Sequence, residues 1–132
     1  MTTRQSSIII AMLLAIVTAI AVAKRLPPKP VTPVVADGVR YSAEGDGKEQ
    51  YVVAAEISTA RELWRVRVFH TETNSSVEED VQWVFITNLR VIGKSLLVRD
   101  EKARCYSVDL STHRVRKTSC GAVFTQEDRP PQ

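Results

Sequence analysis

Two cysteines, two histidines and a group of carboxylates are the residues whose types could do chemistry in this chain. Cys105 and Cys120 offer either a disulfide or two thiols; Cys105 has no local nucleophile signature, so unpaired it would be a small buried hydrophobe. His70 and His113 have no metal-ligand spacing to each other or to a cysteine, which leaves each a surface role. Glu72, Glu78, Glu79 and Asp80 surround Asn74-Ser75-Ser76 and could hold a hard cation through oxygen. They lack the ligand spacing and glycine of a calcium loop, so a solvated loop is the simpler reading. Asn74-Ser75-Ser76 is formally a glycosylation sequon, and no G-x-S-x-G, P-loop or Rossmann glycine pattern occurs. No catalytic, metal or cofactor-binding residue is assigned, and no cofactor is expected.

The elements that would carry these residues follow an apolar leader. From Ile8 to Ala23 the only polar residue is Thr18, and Lys24-Arg25 follow directly. As a helix this run would reach about 24 Å at ~1.5 Å per residue, workable for a membrane with flanking serines and snorkelling cations. Ala21-Val22-Ala23 fits a signal-peptide processing site, whereas the length of the run and its closing cations fit a retained anchor; both readings stay open for residues 1–25. Counting Lys24, Arg25 and Lys29 against Arg4 would hold the C-terminal side in the cytoplasm. The short N-terminal tail favours export, with the domain facing a non-cytoplasmic compartment. If uncleaved, Ile8 to Ala23 makes the membrane a partner.

Beyond the leader, residues 26–38 are proline-rich and read as an extended spacer. The chain after Val31 holds 14 basic and 15 acidic residues, a net of −1, so the basicity of the whole belongs to the leader and nucleic acid is excluded as a partner. One β-domain, 39–124, remains, with 125–132 read as a disordered tail. Val52–Ile57, Arg65–Val68, Val81–Ile86, Leu96–Val98 and Tyr106–Leu110 are short β-branched or aromatic runs separated by Gly45-Asp46-Gly47, Gly93-Lys94-Ser95 and Asp100-Glu101-Lys102. The pattern predicts an all-β fold, a small antiparallel meander or sandwich of about seven strands after an N-terminal hydrophobic helix. Trp83, in a run apolar on both faces, is placed on the most central strand.

Ala54-Ala55-Glu56-Ile57-Ser58-Thr59-Ala60-Arg61-Glu62-Leu63-Trp64 resembles the A-x-D-x-x-T-G-K-x-x-W signature of quinoprotein-type (PQQ-like) β-propeller blades. Ala54, Thr59 and Trp64 match, Glu56 and Arg61 are conservative replacements, and Ala60 stands where the family has glycine. A second copy, Ser107 to Arg114, puts His113 at the glycine position and Lys117 in place of the tryptophan. The resemblance covers two hairpins. It implies blade-like packing, with Ala54, Thr59 and Trp64 as structural residues, and does not carry over a cofactor or dehydrogenase activity. One chain of this length cannot close a propeller, so it forms either an open meander or sandwich or an oligomer completing a ring.

A four-residue loop at Ser58–Arg61 would pair Ile57 with Glu62, Ala55 with Trp64, Val53 with Val66 and Tyr51 with Val68, gathering apolar residues on one face. The same loop at Ser111–Arg114 pairs Leu110 with Val115 and, counting outward, Cys105 with Cys120, within disulfide range in an oxidising compartment. Two functions follow. One is an exported or membrane-anchored envelope domain that binds or scaffolds an envelope protein without catalysis, by strand addition at an open sheet edge. The other is an oligomeric, propeller-like binder of a cofactor or ligand, with its site between protomers.

Overall fold

The computed structural model describes residues 25–26, 28–121 and 123–124. The apolar run Ile8–Ala23 and the tail 125–132 lie outside the described residues, and among those described no helix is long and apolar enough to cross a membrane.

Eight strands, one more than the pattern suggests, form two consecutive antiparallel meanders. The first sheet holds β1 (Val34–Ala36), β2 (Val39–Gly45), β3 (Glu49–Glu56) and β4 (Glu62–His70). The second holds β5 (Ile86–Ile92), β6 (Ser95–Asp100), β7 (Cys105–Asp109) and β8 (Val115–Thr118), again in chain order. Alternation along each strand sends one set of side chains inward: Tyr41, Val52 and Ala54 from the first sheet and Leu96, Val98, Tyr106 and Val108 from the second share one buried core. Phe69 stacks on Tyr106 with ring centroids 5.1 Å apart, joining the last strand of one sheet to the third of the other.

The structure corrects three expectations. β1 begins at Val34, inside the stretch read as a spacer, because Val34 faces Tyr41 and packs against the core. The run Val81–Ile86 is not a central strand: Asp80–Gln82 form a single 3-10 turn, and β5, which starts only at Ile86, ends its sheet. The reason is Gly47. Val84 N–H donates to the Gly47 carbonyl at 3.0 Å, and a Cβ on Gly47 would fall 2.6 Å from Trp83 Cβ. Trp83 therefore lies against the β2–β3 turn where the chain crosses between sheets, and its neighbours cannot join a ladder. Gln50, 2 % exposed, completes the crossing by accepting the Ile86 N–H at 3.0 Å.

The third correction concerns register. Both repeat-bearing hairpins close one residue earlier than the spacing predicts. Glu56 N–H donates to Arg61 O and Ala60 N–H to Glu56 O, both at 2.8 Å, so the loop is residues 57–60. In the second hairpin Asp109 N–H donates to Arg114 O at 2.9 Å and His113 N–H to Asp109 O at 2.7 Å. The last loop residue is left-handed in each, Ala60 at φ 59° and His113 at φ 61°, and this sharp return fixes where each strand resumes. Trp64 consequently faces Ala54, not Ala55, and Val66 faces Val52, not Val53; Arg67 rather than Val68 faces Tyr51. Leu63 and Val68 sit at the two register shifts of β4. Cys105 faces Thr118, and Cys120 follows two residues later, past the end of β8.

Candidate functional site

β4 is the longest strand, nine residues, and it ends its sheet. Its bulges at Leu63 and Val68 leave a regular segment from Trp64 to Arg67, paired on one side with Ala54 to Tyr51. Arg65 and Arg67 project from one face of this segment and Trp64 and Val66 from the other. Trp64 is half-buried between Tyr41, at 5.9 Å between centroids, and the His113 ring, stacked at 4.2 Å. The signature tryptophan of one repeat thus docks on the loop of the other, on the histidine that replaces glycine there. Sequence spacing could place Trp64 over a small residue, but His113 looked like an isolated surface histidine because its partner is 49 positions away.

The other residues singled out by the signature are structural neighbours of this strand. Ala54 is fully buried on β3 opposite Trp64. Thr59 Oγ1 accepts the Arg61 N–H at 3.3 Å and donates to Glu56 Oε2 at 3.1 Å, and Thr112 Oγ1 accepts Arg114 N–H at 3.4 Å in the second loop. The loops are also tethered alike: Ile57 N–H donates to Gly38 O and Leu110 N–H to Lys94 O, each at 3.0 Å. Asp109 accepts the N–H groups of Ser111 and Thr112 at 2.8 and 2.9 Å. These bonds, Thr112's first, hold its carboxyl below the usual aspartate range.

The outward face of the first sheet is closed by charge. Arg65 bonds Glu62 at 2.8 Å and Glu44 at 2.9 Å and lies 5.8 Å from the Tyr51 ring centre, while Arg67 pairs with Glu49 at 3.2 Å. The outward face of the second sheet carries Cys105 and Leu97, both buried. Cys105 and Cys120 are at disulfide distance, Cα atoms 5.2 Å apart, and the Phe124 ring lies 5.7 Å from the Arg90 guanidinium and 5.9 Å from that of Arg99.

The remaining reactive types are dispersed. His70 meets Glu49 at 2.7 Å and Glu72 at 3.5 Å on the surface. The acidic loop is organised by Gln82, which donates to the carbonyls of Asn74, Val77 and Glu78 at 2.9 to 3.1 Å, and Glu79 pairs with Lys48. Among the described residues no three of His, Cys, Asp or Glu converge as a ligand set.

No family model matches the chain, and no curated protein sequence matches it. Among solved structures, the crystal structure of BamB from Moraxella catarrhalis is similar, at 22 % identity and a TM-score of 0.49, over 68 % of this chain and 27 % of that one. The chain therefore spans about a quarter of that protein's length.

Proposed function

We propose that this chain is an exported or membrane-anchored envelope β-domain that binds another envelope protein, without catalysis, by accepting an extended segment along β4. The observation that carries the reading is that β4 is the longest strand and has a neighbour on one side only. The open side of an edge strand presents a row of backbone donors and acceptors, and the bulges and arginines of β4 restrict which segment can join it. Leu63 on the same edge is 42 % exposed and offers an apolar anchor.

The second reading, a ring of copies with a site between protomers, requires the outward sheet faces to pack on neighbouring sheets. The Arg65 network and the Phe124 ring already occupy parts of those faces, which favours the first reading. A photo-crosslinking residue placed at Leu63 in cells, with Ile92 on β5 as the control position, tests both. One adduct with a different protein at Leu63 only is expected. Adducts of the chain with itself, or equal yields at the two positions, would replace this reading with the oligomer. A reporter fused at the C-terminus should be active outside the cytoplasm, and activity confined to the cytoplasm would remove the envelope from the proposal.

A further inference from the structure

The charge of this domain is divided between its sheets. Residues 34–85 hold five basic and ten acidic side chains, a net of −5, and residues 86–124 hold eight basic and three acidic, a net of +5. The near-neutral total hides this division.

Strand register shows where the positive excess lies. Arg90 is opposite Leu97, which is opposite Ser107, which is opposite Arg116, so these four form one cross-strand row on the outward face. Asn88, Arg99, Cys105 and Thr118 form a parallel row on the same face. Arg114, two residues from Arg116, shares that face at the hairpin end. Four arginines therefore occupy one side of a four-stranded sheet, and the acidic residue among them, Asp109, is engaged by the backbone N–H groups of its own turn. Asp109, Thr112, Arg114 and Arg116 line an open hollow of about 510 Å³. Among the described residues neither Arg114 nor Arg116 has an ion pair within bonding distance, whereas Arg90 and Arg99 lie against the Phe124 ring, at 5.7 and 5.9 Å.

We infer that the hairpin end of the outward face of the second sheet, at Arg114 and Arg116, binds a carboxylate-rich extended segment of a partner protein. Guanidinium forks pair with carboxylates in bidentate geometry, and Ser107, opposite Arg116, and Thr118, two residues beyond it, add hydrogen-bonding side chains on the same face. Arg114 and Arg116 are alternate residues of one extended stretch and stand about 7 Å apart, the spacing of alternate side chains in an extended peptide. Charge complementarity selects the acidic occupant. A membrane surface fits less well: Arg25, where the described chain begins, bonds Glu101 in the β6–β7 turn, at the opposite end of the strands from the β7–β8 loop that carries Arg114. This surface is on the sheet that β4 does not belong to, so the inference stands or falls separately from strand addition at β4.

The test is fluorescence anisotropy of a labelled peptide of alternating Glu and Thr, titrated with the full chain at low and at physiological salt. Binding that weakens as salt rises is expected. The Arg114→Glu/Arg116→Glu variant should lose at least about tenfold in affinity and gain binding to the matching Lys-Thr peptide. Arg61→Glu, on the loop of the other sheet, should leave binding unchanged, and equal melting temperatures of the variants would show that folding is intact. Equal affinity in the double variant, or no peptide binding at all, would overturn the inference. Three other results would also overturn it by naming a different occupant: binding only to anionic phospholipid vesicles, salt-sensitive self-association in place of peptide binding, or peptide binding that appears only in Glu127→Gln/Asp128→Asn, which would assign the face to the chain's own terminus.

Discussion

Trp64, a residue of the signature, and His113, which stands at its glycine position, form a contact between the two halves of the molecule that their separation in sequence hides. Trp64→Ala removes a half-buried ring that touches both sheets and should cost about 3 kcal/mol in thermal or urea unfolding. At His113 two effects oppose: the ring stacks on Trp64, contributing about 1 kcal/mol, while the left-handed backbone costs a non-glycine residue a similar amount. His113→Ala keeps the strain and loses the stack, so it should destabilise by about 1 kcal/mol. His113→Gly loses both and should fall within about 0.5 kcal/mol of the parent. Ala60 has the same backbone and is exposed without the compensating ring, so Ala60→Gly should raise the melting temperature by about 2–6 °C. A lower melting temperature would mean that the extra freedom of the unfolded chain outweighs the strain relieved.

At the scale of the hairpin, the turns and the disulfide set the conditions under which strands hold. Asp46 and Asp109 each accept two backbone N–H groups in their turns, and both carboxyls are held below their ordinary range, by the bonds from Glu49 and Lys48 and from Thr112 and Ser111 in that order. A folded-state value below the unfolded one contributes stability that is present above about pH 4 and lost as pH falls through the folded values. Asp46→Asn/Asp109→Asn should therefore flatten the acid limb of a melting-temperature profile while changing little of its shape near neutrality. For Cys105 and Cys120, closing a loop of about 15 residues contributes ~3 kcal/mol in the chain-entropy model. The unreduced chain should resist alkylation and melt well above the reduced one; two freely alkylated thiols would show that the bond does not form.

The hairpins were legible because Thr59 and Thr112, with the residues after them, mark turns in sequence. The register was not: the resemblance puts Ala60 and His113 where a glycine would turn left-handed, but it does not set which residues close the loop, and neither side chain favours that backbone. The cysteines still meet because a shift of two residues preserves the face of the sheet. Trp83 misled for a related reason: its run is apolar on both faces, like a buried central strand, while the close approach that holds it, to Gly47, is to a turn 36 residues away. The arginine face was hidden because alternate residues on three strands contribute to it, and none of those strands is basic throughout.

For the molecule as a whole, the crossing from β4 to β5 couples the sheets. Gly47 combines a left-handed φ of 91° with contact to Trp83, so Gly47→Ala should cost about 2–3 kcal/mol by overpacking and strain together. Since the core is shared, the loss should appear as one unfolding transition moved to lower denaturant, with the slope unchanged. Two separate transitions would mean that each sheet holds itself together. The serial layout of the sheets bears on the molecule's size. The same turn, with the same tether to the preceding hairpin, recurs after 53 residues, which is the arrangement of a tandem array with two members. Such an array grows as long as its end members offer a bare apolar face, and it stops when those faces are capped. Here the caps are built from ordinary parts, an arginine bridging two glutamates at one end and a phenylalanine laid between two arginines at the other. Plain apolar residues in place of both caps would leave the outward faces bare and make the domain associate with itself.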